Sequence, residues 1–497
     1  MSVEALTEHL QRPLGQGHLP DGACTGAAGG AACGDVIRVS LVVDPESPDG
    51  RIQDVGFDAS GCGTVIAAGS AAVSLVSGSS LLDAARIGAP QIAGELGGLL
   101  PSKLHAAELA CDALHRALGL AARRQARLAP VPGRTLVAMS GGVDSAVAAL
   151  LVREQGAHGG RGGAEEDVVA VTLELWSDAE NDPARSCCSA LAVRTARELA
   201  HGMGLAHLSI DLREEFAAGV VQPWIEDHRA GLTPNPCVRC NGKVRLDGML
   251  ALADRLGAGT LATGHYARVE RDAQEEQPLL GVAADESKDQ SYALAALSPI
   301  SLARMRFPLG GLTKPQVRER AAQAGLAVAR RPDSQDLCFL AGTRQAAFLA
   351  RHGGIEPQPG AILDLYGRRV GEHAGVHTVT VGQRRGLGLS GGDPLFVIGT
   401  DPAANTVTVG PRERLRCERI SVRDVTLHRG GASVDSVKLR YRGRRLPCRL
   451  EGAPEAGSHE SVEVRLESAS ERTAPGQVAC LYAGDLLVGH GTIDASL

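Results

Sequence analysis

Residues 135–154, TLVAMSGGVDSAVAALLVRE, constrain this chain most tightly. An apolar run suited to a buried strand ends in Ser140-Gly141-Gly142. Val143, Asp144 and Ser145 then open an amphipathic helix. Gly141 and Gly142 allow positive φ and a close backbone approach to a phosphate. The helix start adds unpaired N–H groups and the positive end of its dipole. Asp144 is placed to hold a metal ion against a pyrophosphate. The chain has no G-x-x-x-x-G-K-[ST] element, so this is not a Walker-type loop. Strand and helix signals alternate from Thr135 to about Arg330, as βαβ units require.

At 497 residues the chain exceeds one core, and roughly three or four domains are expected. The expected divisions are 1–120, a polar, proline-closed linker at 121–133, then 134–345, 346–412 and 413–497. Residues 36–60 alternate as two strands around a Pro/Asp/Gly turn, and 64–120 are helical in pattern. HGGRGGAEED at 158–167 reads as a surface loop. Short strands punctuated by Gly, Pro and Asp take over beyond about Gly360. The fold class expected from this pattern is therefore multidomain: an N-terminal α+β domain, an α/β domain and then one or two small β domains.

No run approaches 18 apolar residues and the first residues carry no basic-then-apolar signal, so a cytoplasmic protein with no membrane partner is expected. In that compartment the twelve cysteines point to metal, cluster or sulfur chemistry rather than structural disulfides. Cys417, Cys448 and Cys480 sit singly among strand residues and read as core. The net charge of −6 is unevenly spread. Residues 1–120 hold 6 Lys/Arg against 13 Asp/Glu, whereas 411–450 hold 12 against 4. A local basic surface of that kind suits phosphate, whatever the whole-chain charge.

SGGVDS resembles the loop of N-type ATP pyrophosphatases, which cleave ATP between its α and β phosphates. Five further elements follow in order: GLTPNPCVRCNGKVRL (231–246), LATGHYARV (261–269) with SKDQSYAL (287–294), RPDSQDLCFL (331–340), HTVTVGQRRGLGL (377–389) and RYRGRRLPC (440–448). From about 134 to 497 the chain thus resembles the bacterial tRNA-specific 2-thiouridylase family. The resemblance implies an α/β adenine-nucleotide hydrolase-like domain that uses ATP and Mg²⁺ to adenylate the wobble uridine C2 oxygen of tRNA, which sulfur then displaces. It also implies a small central β-rich domain and a C-terminal β-barrel. It implies Cys338 as persulfide carrier and Cys240 as partner nucleophile, with Arg239 and Lys243 as basic neighbours. Ala138, Met139, Ser140, Gly141, Gly142, Val143, Asp144, Ser145, Leu173 and Gly264 would line the ATP site. Asn235, Pro236, Cys237, His265, Lys288, Asp289 and Gln290 would face the target base or its tRNA arm. Arg440, Tyr441 and Gln477 would contact tRNA from the C-terminal domain.

Cys237 leaves a second mechanism open. With Cys240 it forms C-x-x-C, and with Cys338 three thiolates match a cubane iron–sulfur cluster that keeps one corner free. Cys187 and Cys188 match no element of this scheme.

Residues 23–118 resemble the U-type iron–sulfur scaffold family through ACGDVIRVSLVV (32–43), FDASGCGTVIAAGSAA (57–72) and LPSKLHAAELACDAL (100–114). That family holds a nascent cluster with three cysteines and an aspartate. Cys33, Asp35 and Cys62 match three of those positions, and His105 precedes the fourth, where Ala106 replaces cysteine. Cys111, Cys24 or His105 are candidates for the missing ligand. The alternative is a domain that only docks a cysteine desulfurase or other persulfide donor. Either way, fusion raises its effective concentration at the thiolation site. The rival readings are a 4-thiouridine or thiamine-type sulfurtransferase, and an iron–sulfur assembly protein.

Overall fold

The computed structural model describes residues 3–29, 34–159, 167–178, 180, 182, 189–271, 277–333, 337–389 and 393–496. Cys33, Cys187, Cys188 and most of the 158–167 loop fall outside them. The chain divides into two compact units. One comprises 1–213, 248–265 and 304–339, and the other comprises 214–247, 266–303 and 340–497. Among the described residues no helix is long and apolar enough to cross a membrane.

The first unit begins with α1 (Val3–Gln11) and an antiparallel sheet, β1 (Cys24–Gly29), β2 (Val36–Val43) and β3 (Ile52–Ser60). Alternation sets the inward face of β2, with Ile37, Val39 and Leu41 fully buried. Helices α2 (Gly63–Val76) and α5 (Leu104–Arg124) cover that sheet, and α3 (Leu81–Ala84) and α4 (Ala89–Glu95) pack against those two helices. Their Ala-rich faces let helices approach closely, which suits a chain with 3% aromatics. α5 runs to Arg124, into the stretch expected to be linker, because Ala121 and Ala122 are buried. The rest of that stretch is also tied down. The N–H groups of Leu128 and Val131 donate to the carbonyls of Arg255 and Gly257, and that of Ala129 donates to Pro48.

The α/β part of this unit is a parallel sheet of β4 (Thr135–Ala138), β5 (Val168–Glu174), β6 (Ala206–Asp211) and β7 (Thr260–Thr263), with Met305–Arg306 at one edge. The order β6-β5-β4-β7 reverses direction at β4, whose C-terminal end is where such sheets bind ligands. Helices α6 (Val143–Gly159) and α7 (Ala190–Gly202) follow β4 and β5.

The scaffold-like domain is docked rather than merely tethered, because α5 lies along β6 and α7. Asp112 receives Arg194 at 2.6 Å and Arg197 at 2.7 Å, and Glu108 receives Arg194 at 3.1 Å. Gly119 allows the closest approach, since a Cβ there would sit 1.8 Å from the Ser209 carbonyl oxygen. His115, His201 and His207 cluster at the same contact, with ring centroids 5.5–6.4 Å apart.

The second unit contains a four-stranded sheet ordered Arg369–His373, Gly360–Leu363, Thr406–Gly410 and Phe396–Asp401, packed around Ile362, Val397, Val407 and Val409. It also contains a closed six-stranded barrel: Arg416–Leu427, Gly457–Glu471, Leu446–Leu450, Ser436–Lys438, Val478–Ala483 and Leu486–Ser496, the last pairing back to the first. Its core includes Ile420, Val464, Leu481 and Cys448. Arg268–Arg271 and Pro278–Gly281, expected within the α/β alternation, instead extend the barrel through Leu486–Leu487. Cys417, Cys448 and Cys480 are buried core residues.

Candidate functional site

The loop after β4 is knitted by its own serines. Ser145 Oγ donates to the Gly142 carbonyl at 3.1 Å and accepts from the Ser140 N–H at 3.1 Å. Gly141 has φ +71°, and a Cβ there would meet the Ala192 carbonyl at 2.7 Å. Gly142 has no such need, since a Cβ there would find only Ser140 Oγ at 3.5 Å. Gly264, just past β7, leaves room for the Ser145 N–H, which a Cβ would approach to 2.7 Å. Ala138, Met139, Val143 and Leu173 are buried beneath this loop or on the adjoining strand.

Two cations to which the sequence motifs assign no role close this site. Lys314 Nζ lies 2.7 Å and 2.8 Å from the two Asp144 oxygens and 2.9 Å from Asp333 Oδ1. Arg331 donates to the Gly141 carbonyl at 3.0 Å. Arg331 and Asp333, which precede half-buried Cys338 in the chain, are thereby held at the loop. The available signal for Lys314 was a lysine at the first helical position after the Thr313 cap, where cations are disfavoured. His265 Nδ1 lies 2.8 Å from Thr263 Oγ1, and its ring packs edge-on to Phe307.

In the second unit, Asn235 caps the short helix Pro236–Arg239, accepting from the Cys237 N–H at 3.0 Å. Cys240 is buried and opens a six-residue π-helical turn, Cys240–Arg245, a distortion common at functional sites. Burial pushes the Cys237 thiol above its usual range, opposed by Arg245. The proposed basic neighbours have other company: Arg239 faces Asp227, and Lys243 faces His490. Buried Tyr292 donates to the Val478 carbonyl at 2.9 Å and stands 6.1 Å from the ring of Tyr441. Gln290 accepts from the Tyr266 N–H and also bonds Tyr441. Lys288 is half-buried.

The Asp289 side chain turns inward. It is 7% exposed, and its carboxylate is taken by Ser291, the Ala283 N–H and Lys438. It holds its loop from inside. Gln477 donates to the Thr233 carbonyl at 2.6 Å, and Arg440 donates to the Arg472 carbonyl. Both line a cavity of about 370 Å³ with Thr233, Thr380 and Gln383.

At the far end of α5, Asp35, Cys62 and His105 bring one oxygen, one sulfur and one nitrogen within 4.8 Å of one another. Asp35 accepts from the Cys62 N–H at 2.9 Å, which holds its carboxyl below the usual range. Gly61 makes this possible, since a Cβ there would fall 2.1 Å from Asp35 Oδ1. Cys111 does not join the set. It is fully buried with its thiol toward the Ile87 carbonyl, and burial raises it to about 11. Cys24 is buried on β1.

Family models match along almost the whole chain: a NifU-like N terminal domain at 2–127, a tRNA methyl transferase HUP domain at 133–342, a tRNA methyl transferase PRC-barrel domain at 346–411 and an aminomethyltransferase beta-barrel domain at 421–493. Fold and site thus define a NifU-type domain docked on a HUP-type nucleotide-loop domain, followed by two β domains. The tRNA-specific 2-thiouridylase MnmA of Heliobacterium modesticaldum is 39% identical over 73% of this chain and 92% of its own length. That of Solibacter usitatus is 40% identical over 72% and 98%. The bifunctional protein NifU/MnmA of Rubrobacter xylanophilus is 43% identical over 98% of this chain and 97% of its own length. The chain belongs to this bifunctional NifU/MnmA family.

Proposed function

We propose that the chain is a tRNA-uridine 2-sulfurtransferase whose fused NifU-type domain supplies sulfur or a cluster in cis. The observation that carries the reading is the hydrogen bond from Arg331, at the start of the stretch leading to Cys338, to the Gly141 carbonyl of the nucleotide loop. ATP occupies the loop, its phosphates facing the start of α6. Asp144 is the loop's carboxylate for a magnesium ion, and its oxygens fit that hard cation. The uridine C2 oxygen attacks the α-phosphorus, the bond to the bridging oxygen breaks, pyrophosphate leaves with the electron pair, and N3 releases its proton to solvent.

A persulfide on Cys338 then attacks C2 with its terminal sulfur and AMP departs. The Cys240 thiolate attacks Cys338 Sγ, leaving 2-thiouridine and a Cys240–Cys338 disulfide that an external thiol reduces. A cysteine desulfurase or other persulfide donor loads the sulfur. Asp35, Cys62 and His105 form a mixed S, N, O donor set that fits iron or zinc, so a nascent cluster would be held there as cargo.

Single-turnover thiolation of unmodified tRNA with ATP and a labelled persulfide donor tests the reading, run with the wild type and Cys338→Ser and after iron chelation. Loss of product in Cys338→Ser alone establishes the persulfide route. Loss on chelation as well makes a cluster part of the catalyst. No thiolated base from wild type under any condition would leave an iron–sulfur assembly protein in its place.

A further inference from the structure

We propose that Lys314 is a phosphate ligand of the nucleotide, held between two carboxylates until ATP arrives. The inference rests on the nucleotide-loop reading and adds a residue that neither the loop motif nor the cysteine motifs contain. Lys314 is the first residue of the helix Lys314–Gln323, and its side chain is only 9% exposed. A cation there opposes the helix dipole, so the position is unfavourable unless something repays it.

The two carboxylates do not depend on Lys314. Asp333 already has Arg318 at 2.8 Å. Asp144 lies in the first turn of α6, where the dipole itself favours an anion. A lysine added to two carboxylates that are already compensated contributes little to the fold. What sets it apart is its place, on the acidic residue that opens the helix behind the phosphate loop. An ammonium group offers three donors and a compact charge suited to phosphate oxygens. A triphosphate at the start of α6 brings negative charge against Asp144, and the ammonium turns from carboxylate to phosphate.

The experiment uses the full chain without tRNA and measures ATP affinity by equilibrium dialysis beside the melting temperature of the free protein. Lys314→Met should weaken ATP about 10–100-fold, the range of one charge-assisted hydrogen bond, with the melting temperature held and part of the loss recovered in Lys314→Arg. Unchanged ATP affinity overturns the proposal. So does a loss that follows the melting temperature and is not recovered by arginine, because that describes a brace. If Lys314→Met does not fold, Asp333→Asn decides: a phosphate ligand with one holder removed binds ATP more tightly, and a brace binds it less. A wild type that fails to hold ATP removes the nucleotide reading itself, before any variant is compared.

Discussion

Asp112 on α5 meets Arg197 on α7 at 2.7 Å, with both side chains nine-tenths withdrawn from solvent. The pair crosses from the NifU-type domain to the nucleotide-loop domain, and Arg194 doubles it. Breaking a buried pair strands a charge and costs about 3–5 kcal/mol. Asp112→Ala should therefore lower the melting temperature and open residues 125–134 to limited proteolysis. An unchanged cleavage pattern would mean that other contacts hold the docking.

The same contact makes docking acid-sensitive. His115, His201 and His207 all lie below the usual imidazole range, chiefly through burial, with Arg197 pressing on each. They face Thr172 Oγ1 and the carbonyls of Ala85, Ile87 and His207. The two carbonyls at His115 favour its charged form, but burial outweighs them. A histidine kept neutral by folding stabilises fully above its unfolded pKa of about 6.5 and loses that contribution as pH falls toward the folded value. Protection of the α5 and β6 amides, corrected for the slower intrinsic hydrogen exchange in acid, should fall between pH 7 and pH 5. Equal protection across that range would refute the assignment.

Metal titration separates the ligands. Cys62→Ser or His105→Ala should weaken zinc or ferrous iron binding at least tenfold, and Cys24→Ser should leave it unchanged, because Cys24 is buried on β1. A loss in Cys24→Ser would move the site.

Gly264→Ala places a Cβ 2.7 Å from the Ser145 nitrogen and 2.8 Å from the Asp144 carbonyl carbon. Overpacking of this kind costs about 1–3 kcal/mol, and here it displaces the phosphate loop. ATP affinity should fall tenfold or more by dialysis. Wild-type affinity would show that β7 and the loop move independently.

Much of this was legible in the chain because motif and element coincide. SGGVDS falls between a strand and a helix, and Asp35, Cys62 and His105 sit in three recognisable stretches. The docking was not legible, since Asp112, His115 and Gly119 look like ordinary positions on an Ala-rich helix until β6 lies beside them. The contacts of Lys314 and Arg331 were hidden for a related reason: their partners, Asp144 and Gly141, are 170 and 190 residues away. The inward turn of the Asp289 side chain was not legible either, because Lys438, which it meets, comes from the barrel.

One helix, α5, carries His105 at its start and Glu108, Asp112, His115 and Gly119 along the docked face. Any heritable change that re-tunes the start of this helix for a new metal or donor is also judged by how well the remaining turns fit their neighbour. In a separate scaffold those turns would drift freely. Here gene fusion has linked the fates of two trades, so each domain restricts the other's room to evolve.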